Sequence, residues 1–197
     1  MAGFTGCFSA TDDIVVLNVL DLVGGAVPFE FDFTRMVEGL DATGAGNWSP
    51  PARQALVSAD IDFADVQDGT DMLVARVVDP EGLRVVGGLP APTAPIQASA
   101  GDAGEYAAGT VLLIADCEKS TVFQSTGAGG AGPMQIDHAA GSVGVVPGNA
   151  QLSLTDDAAV TYGPESTVHR VDSQIFYVAE GAGQNNRGDP PLSLWRK

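Results

Sequence analysis

Basic side chains are scarce in this chain. Its 197 residues include 9 Lys and Arg against 25 Asp and Glu, a formal net charge of −16. Nine cations scattered along the sequence make no patch able to neutralise phosphates, so nucleic acid is not an expected partner. An anionic membrane surface would repel the same chain. Long apolar runs are missing too. The stretch from Ile14 to Val23 is interrupted by Asn18 and Asp21, whereas a membrane-spanning helix needs about 20 apolar residues. No basic start leads into an apolar run, so no signal peptide is expected. The order Met1-Ala2-Gly3-Phe4 reads like the interior of a longer protein. Histidine is limited to His138 and His169.

What is present is enough for a core. Hydrophobic residues make up 45% of the chain, too high a share for a disordered segment. The length suits one domain spanning residues 1–197. The negative charge keeps such a domain soluble and favours cations or basic partners. A solvated acidic surface accounts for most of it, because carboxylates are mostly exposed in any case.

The two cysteines, Cys7 and Cys117, lie too far apart for a zinc motif or a redox CxxC pair. An even count fits one disulfide in an oxidising compartment. Two buried free thiols fit the same count, since free cysteine packs as a small hydrophobe.

Short apolar runs bounded by Gly, Pro, Asn and Asp dominate the pattern. They fall at Met72 to Val78, Leu83 to Val86, Val111 to Cys117, Thr121 to Gln124, Val143 to Val146, Ala158 to Tyr162, Thr167 to Val171 and Gln174 to Ala179. Their β-branched and aromatic content predicts strands. Asp79-Pro80-Glu81-Gly82 and Glu118-Lys119 carry turn chemistry between runs. Thr11 to Gly25 reads as a capped helix or, given its valines, as a strand. Arg53 to Ala59 reads as a short helix, and Gly127 to Gly132 and Gly181 to Gly188 as flexible loops. The strands are plentiful and a covering helix is missing. The sheet's apolar face is therefore closed by a second sheet or by something outside the chain.

The search for chemistry finds little. Asp60, Asp62, Asp65, Asp68 and Asp71 could supply oxygens to Ca²⁺, but the EF-hand glycine and glutamate positions are not met, and an acidic loop is the simpler reading. Asp137 and His138 are neighbours, and neighbours on a strand point to opposite faces. Neither Ser142 nor Ser166 sits in a nucleophile elbow. The glycine run at 127–132 lacks the Lys-Ser/Thr of a phosphate loop. No catalytic residue, cofactor or metal site is expected. Phe29, Phe31 and Phe33 alternate with acids and share one side if extended. Together with Trp48 and Trp195 they are candidate interface anchors, although core packing is the plainer role.

Several segments resemble PilW-type minor pilins of type IV pili. Met1-Ala2-Gly3-Phe4-Thr5-Gly6-Cys7 is similar to the family's stretch after its N-terminal helix. Val37-Glu38-Gly39-Leu40-Asp41-Ala42 with Trp48-Ser49-Pro50 resembles its "veGyda…w.p" segment. Asp68-Gly69-Thr70-Asp71-Met72-Leu73-Val74-Ala75-Arg76 resembles "dGsDvlvvR". Gly109 to Cys117 and Val122-Phe123-Gln124 resemble "GdivlvsDC…iFq". His138 falls where the family often has a histidine. Phe176-Tyr177-Val178-Ala179 and Pro191-Leu192-Ser193-Leu194-Trp195-Arg196 resemble "yYva…psLyr".

The resemblance spans Met1 to Arg196 and implies a mostly β or α+β domain. Its centre would be a pilin-like antiparallel sheet lacking its N-terminal helix, shortened at the start, and the family's usual continuation past the last motif implies closing strands beyond the end. It implies a subunit anchored in the inner membrane before assembly and later in the extracellular pilus near its tip. Other minor pilins and a tip-associated adhesin would be its partners. It also implies that Cys7 and Cys117 are bonded, and it implies no catalysis. A secreted β-sandwich binding carbohydrate or Ca²⁺ is the alternative.

The disulfide is testable on the intact protein. Without reduction the denatured chain should take up no iodoacetamide, and after reduction two equivalents, one for each of its 2 cysteines. Reduction should lower stability by about 4–5 kcal/mol for a loop of this size in the chain-entropy picture.

Overall fold

The structure is a computed structural model and describes residues 15–21, 31–33, 35–44, 46–50, 62–130 and 132–197. The chain divides into two compact units, Met1–Thr34 with Val78–Asp172, and Arg35–Val77 with Ser173–Lys197. The fold is mostly β, and among the described residues there is no α-helix.

The first unit is organised around a hairpin of strands β7 (Val111–Ala115) and β8 (Lys119–Gln124). They pair antiparallel from Val111↔Gln124 to Ala115↔Ser120. The turn follows from chemistry. The Asp116 carboxylate accepts the N–H groups of Glu118 and Lys119 at 2.8 and 2.9 Å and also holds the Lys119 ammonium. Strand β8 is flanked by β1 (Val15–Asn18), and β7 by β11 (Thr167–Glu180). The other side of β11 takes the two-residue β5 (Leu83–Arg84).

Every residue of β7 is buried, so both faces of this sheet need cover. On one face Leu112, Ile114, Phe123 and Val168 share a core with a separate antiparallel sheet. That sheet contains β6 (Ile96–Ala98), β10 (Met134–Asp137) and β9 (Gly127–Gly129), in the order β6-β10-β9. Ile96, Ala98, Met134 and Ile136 point into the core. On the opposite face Val111, Leu113, Ala115 and Val122 pack with Leu20 and Phe33.

In the second unit the order is β11-β4-β2-β3, with β12 also paired to β11. These are β4 (Met72–Val78), β2 (Val37–Gly44), β3 (Asn47–Ser49) and β12 (Leu192–Arg196). Strands β2 and β4 run antiparallel from Val37↔Ala75 to Leu40↔Met72. The period of two sends Glu38, Leu40, Met72, Val74 and Arg76 inward and leaves Val37 and Leu73 exposed. Arg76 is fully buried and reaches Glu38 Oε2 at 3.1 Å. It also donates to the Arg35 carbonyl. Residue pairs diagonal across two strands are within reach of such long side chains.

Several expectations need correction. The sheet is mixed rather than antiparallel, because β1 and β8 run parallel. About a hundred residues separate them in sequence, so no tight turn dictates their direction. The α component is not present in the described residues. Of the helix and strand readings open for Thr11 to Gly25, Val15–Asn18 takes the strand. The rest of that segment apart from residues 19–21, together with Arg53 to Ala59, lies outside the described residues.

The apolar face expected to be bare for want of a helix is not bare on the hairpin. Val111, Leu113 and Ala115 are no more than 9% exposed. Val143 to Val146 and Ala158 to Tyr162 are not strands. Val146 is 77% exposed, so its apolar run has no partner to pair with, whereas Tyr162 is buried from irregular backbone. Gly127–Gly129, expected as loop, is a strand because it pairs with β10 from Gln135↔Gly129 to Asp137↔Gly127. Thr167 to Val171 and Gln174 to Ala179 merge into the single strand β11.

The buried ion pair gives a direct stability test. Arg76→Ala removes the buried partner of Glu38, which keeps the exposed Arg35 guanidinium at 3.4 Å, and should cost up to about 3 kcal/mol in urea unfolding, the low end for breaking a buried pair. Replacing both partners by methionine should cost much less, since no charge is then left unpaired.

Candidate interaction site

The described residues of the second unit contain an open cleft of about 710 Å³. Its floor is set by register. Strands β11 and β12 pair antiparallel from Phe176↔Arg196 to Glu180↔Leu192, which places Tyr177 directly opposite Trp195. Side chains two apart share a face, so Ala179 lies beside them. The segment 62–68 forms one wall. Asp62 accepts the Ala64 N–H at 2.9 Å and starts a single 3-10 turn, Phe63–Asp65. Val66 bridges to Ala179, and the Gln67 N–H donates to the Val178 carbonyl at 2.8 Å.

That turn lays Phe63 on Trp48, with ring centroids 4.9 Å apart. Phe63, Tyr177 and Trp195 therefore give the cleft an aromatic lining, and Asp65, Asp68 and Glu180 give it carboxylates. No Lys, Arg or His is among its described lining residues. Trp195 is 43% exposed.

Of the residues singled out from sequence, Asp65, Asp68 and Trp195 line this cleft, and the other candidate anchors do not. Trp48 is 1% exposed; its indole N–H donates to the Thr70 carbonyl at 2.9 Å. Phe33 is buried and Phe31 half-buried in the second core of the first unit. The aromatic surfaces of Trp48 and Phe33 are thus spent on packing within their own units, which corrects their reading as interface anchors. Phe29 lies outside the described residues, as does Cys7. Cys117 is an exposed, disulfide-bonded cysteine at the β7–β8 turn.

The acidic series disperses. Asp62 caps the 3-10 turn, Asp71 accepts the Ala42 N–H at 2.8 Å, and Asp65 and Asp68 face the cleft. Asp60 lies outside the described residues. Among the described residues no three His, Cys, Asp or Glu side chains gather as a metal site would need.

Both histidines are tied into the first unit. His138 is 3% exposed, with its ring nitrogens 3.0 and 2.8 Å from the carbonyls of Leu152 and Ala94. His169 Nδ1 lies 2.7 Å from the Asp79 carbonyl and Nε2 2.8 Å from Thr167 Oγ1. A Cβ on Gly82 would fall 2.3 Å from the His169 ring, so only glycine lets the turn close over it. Asp79 completes this knot, accepting from the Glu81 N–H and from the Arg170 guanidinium.

Sequence reasoning singled out no cleft. Tyr177 entered as part of the predicted strand Gln174 to Ala179 and Trp195 as an aromatic able to anchor a partner, while Phe63 did not enter at all. The available signal was the alternation Ile175, Tyr177, Ala179, which marks one face of a strand.

No protein-family model matches the chain, and neither a curated protein nor a solved structure matches it.

The Glu81 N–H, then Arg170, holds the Asp79 carboxyl below the usual carboxylate range. A depressed native pKa stabilises the fold above the unfolded value, about 3.9, and the benefit fades as pH falls through the native pKa. Asp79→Asn keeps an acceptor for Glu81 and removes the charge. It should lower Tm at neutral pH, and its deficit should shrink steadily below about pH 4.

Proposed function

We propose that this chain is a structural minor pilin subunit of the PilW type. It would take part in priming type IV pilus assembly and in the tip complex, with other minor pilins and a tip-associated adhesin as partners. One observation carries the reading. The segments that bear the resemblance are strand partners of one another.

The segment Val37 to Ala42 pairs with Met72 to Ala75, and its Glu38 meets the Arg76 that ends the second motif. The segment Val111 to Cys117 folds back on Val122 to Gln124. The segment Phe176 to Ala179 pairs with Ser193 to Arg196. Exposed apolar side chains offer contact surface for assembly: Leu192 and Leu194 on β12 are 57% and 73% exposed, and Val37 on β2 is 66% exposed. Such surface marks protein contacts when it is contiguous.

A second reading, a secreted β module that binds carbohydrate, is favoured by the aromatic cleft of the second unit. It is also favoured by the way the first unit covers one sheet face with its own second sheet.

Co-expression separates the two. The pilin subunit should co-purify with partner minor pilins at micromolar concentration, and Leu194→Asp should weaken the association. Failure to associate with any of them, alongside saturable binding of a neutral oligosaccharide, would replace the first reading by the second.

A further inference from the structure

We infer that the cleft of the second unit captures a cationic side chain, a lysine ammonium or arginine guanidinium, presented by a partner protein. The cavity combines the two features such a group requires. Tyr177 and Trp195 stand side by side as a directly paired cross-strand couple, and Phe63 faces the same space. Aromatic faces attract cations through the ring quadrupole. Around them Asp65, Asp68 and Glu180 supply carboxylates, which strengthen hydrogen bonds to a charged donor.

Among the described residues of the lining none is basic, so none of them balances those three charges. All three carboxylates are exposed, and none enters an ion pair among the described residues. The backbone of the wall is already spoken for. Val66 and Gln67 pair with β11, and Asp62 takes the turn's N–H. What the described lining turns to the cleft is three carboxylates and aromatic faces, with the Tyr177 hydroxyl and Trp195 indole among them, and it is the negative charge that favours a cation over a neutral sugar. The net charge of −16 would steer a basic segment toward the chain from a distance. Cation capture here does not depend on the partner being a pilin.

The test uses the full chain and a trilysine amide peptide. Trp195 lines the cleft and Trp48 is buried, so tryptophan emission reports on occupancy. Trilysine should produce a saturable change that Trp195→Phe abolishes. Its Nε-acetylated form and the neutral trisaccharide maltotriose should produce none. The variant Asp65→Asn/Asp68→Asn/Glu180→Gln should bind about tenfold more weakly. A control of equal charge change in the first unit, Glu118→Gln/Asp156→Asn/Glu165→Gln, should bind as the native chain does.

An equal loss in both triple variants would reduce the effect to net charge and overturn the assignment. So would a response that survives Trp195→Phe, an equal response to the acetylated peptide, or saturation by maltotriose in place of trilysine. If the cleft variant fails to fold, the comparison of trilysine with its acetylated form on the native chain decides alone.

Discussion

The first unit depends on the burial of one short strand from both sides. Val111 to Ala115 has no face that water reaches, and a strand so placed must be covered twice. The three-stranded sheet covers Leu112 and Ile114, while Leu20 and Phe33 cover Val111, Leu113 and Ala115. Its two hydrogen-bonding edges are filled by β8 and β11. Each closure excludes water from backbone groups that must then find partners inside. That need explains the buried polar side chains nearby. Asn149 accepts the Gln124 N–H through Oδ1 and donates to the Gln124 carbonyl through Nδ2, both at 2.7 Å, where a further strand would otherwise have paired. The Thr121 hydroxyl meets the Tyr162 hydroxyl at 2.7 Å and donates to the Leu154 carbonyl. The two ring nitrogens of His138 contact two carbonyls from separate segments.

The second unit solves its interior differently. Its β2–β4 pair buries a charged couple, Glu38 with Arg76, among apolar neighbours. Such a pair adds little net stability over a hydrophobic pair but penalises any register that separates its members. Trp48 and Phe63 stack nearby, and that stack helps position the wall of the cleft. The recognition surface therefore rests on the same residues that fix the fold. Substitutions at Trp48 would disturb the cleft through Phe63 rather than by touching a ligand.

The functional reading rests on the way motifs pair, and the cleft adds a chemistry that the motifs did not suggest. Under the proposed reading, a subunit whose work is assembly needs contact surface and a fixed scaffold. The polar clusters fit that economy. The Asp79, His169 and Arg170 knot holds a turn onto β11, and its donors and acceptors are used within the fold. Under the proposed reading, an acidic surface with an aromatic, carboxylate-lined cleft would suit basic partners.

Much of the local structure was legible in the residues. Met72–Val78 is a strand with the bounds its pattern predicts, and the Glu118-Lys119 turn joins the strands expected on either side. Both follow from short-range physics: β-branched side chains on a pleated surface, and an aspartate whose carboxylate reaches N–H groups two and three residues on. Strand status at Gly127–Gly129 and its denial to Val143 to Val146 were decided elsewhere. Glycine became a strand because β10 offered hydrogen bonds, and valine did not because no edge lay beside it. The parallel course of β1, the Glu38–Arg76 pair and the Tyr177–Trp195 couple belong to the same class. Each joins residues tens to a hundred positions apart, and local sequence carries no record of which distant segment will arrive alongside. The sequence by itself determined where strands and turns were favoured and that the surface would be acidic. Only the tertiary structure decided which edges met, which aromatics were consumed by the core, and which were left facing a cleft.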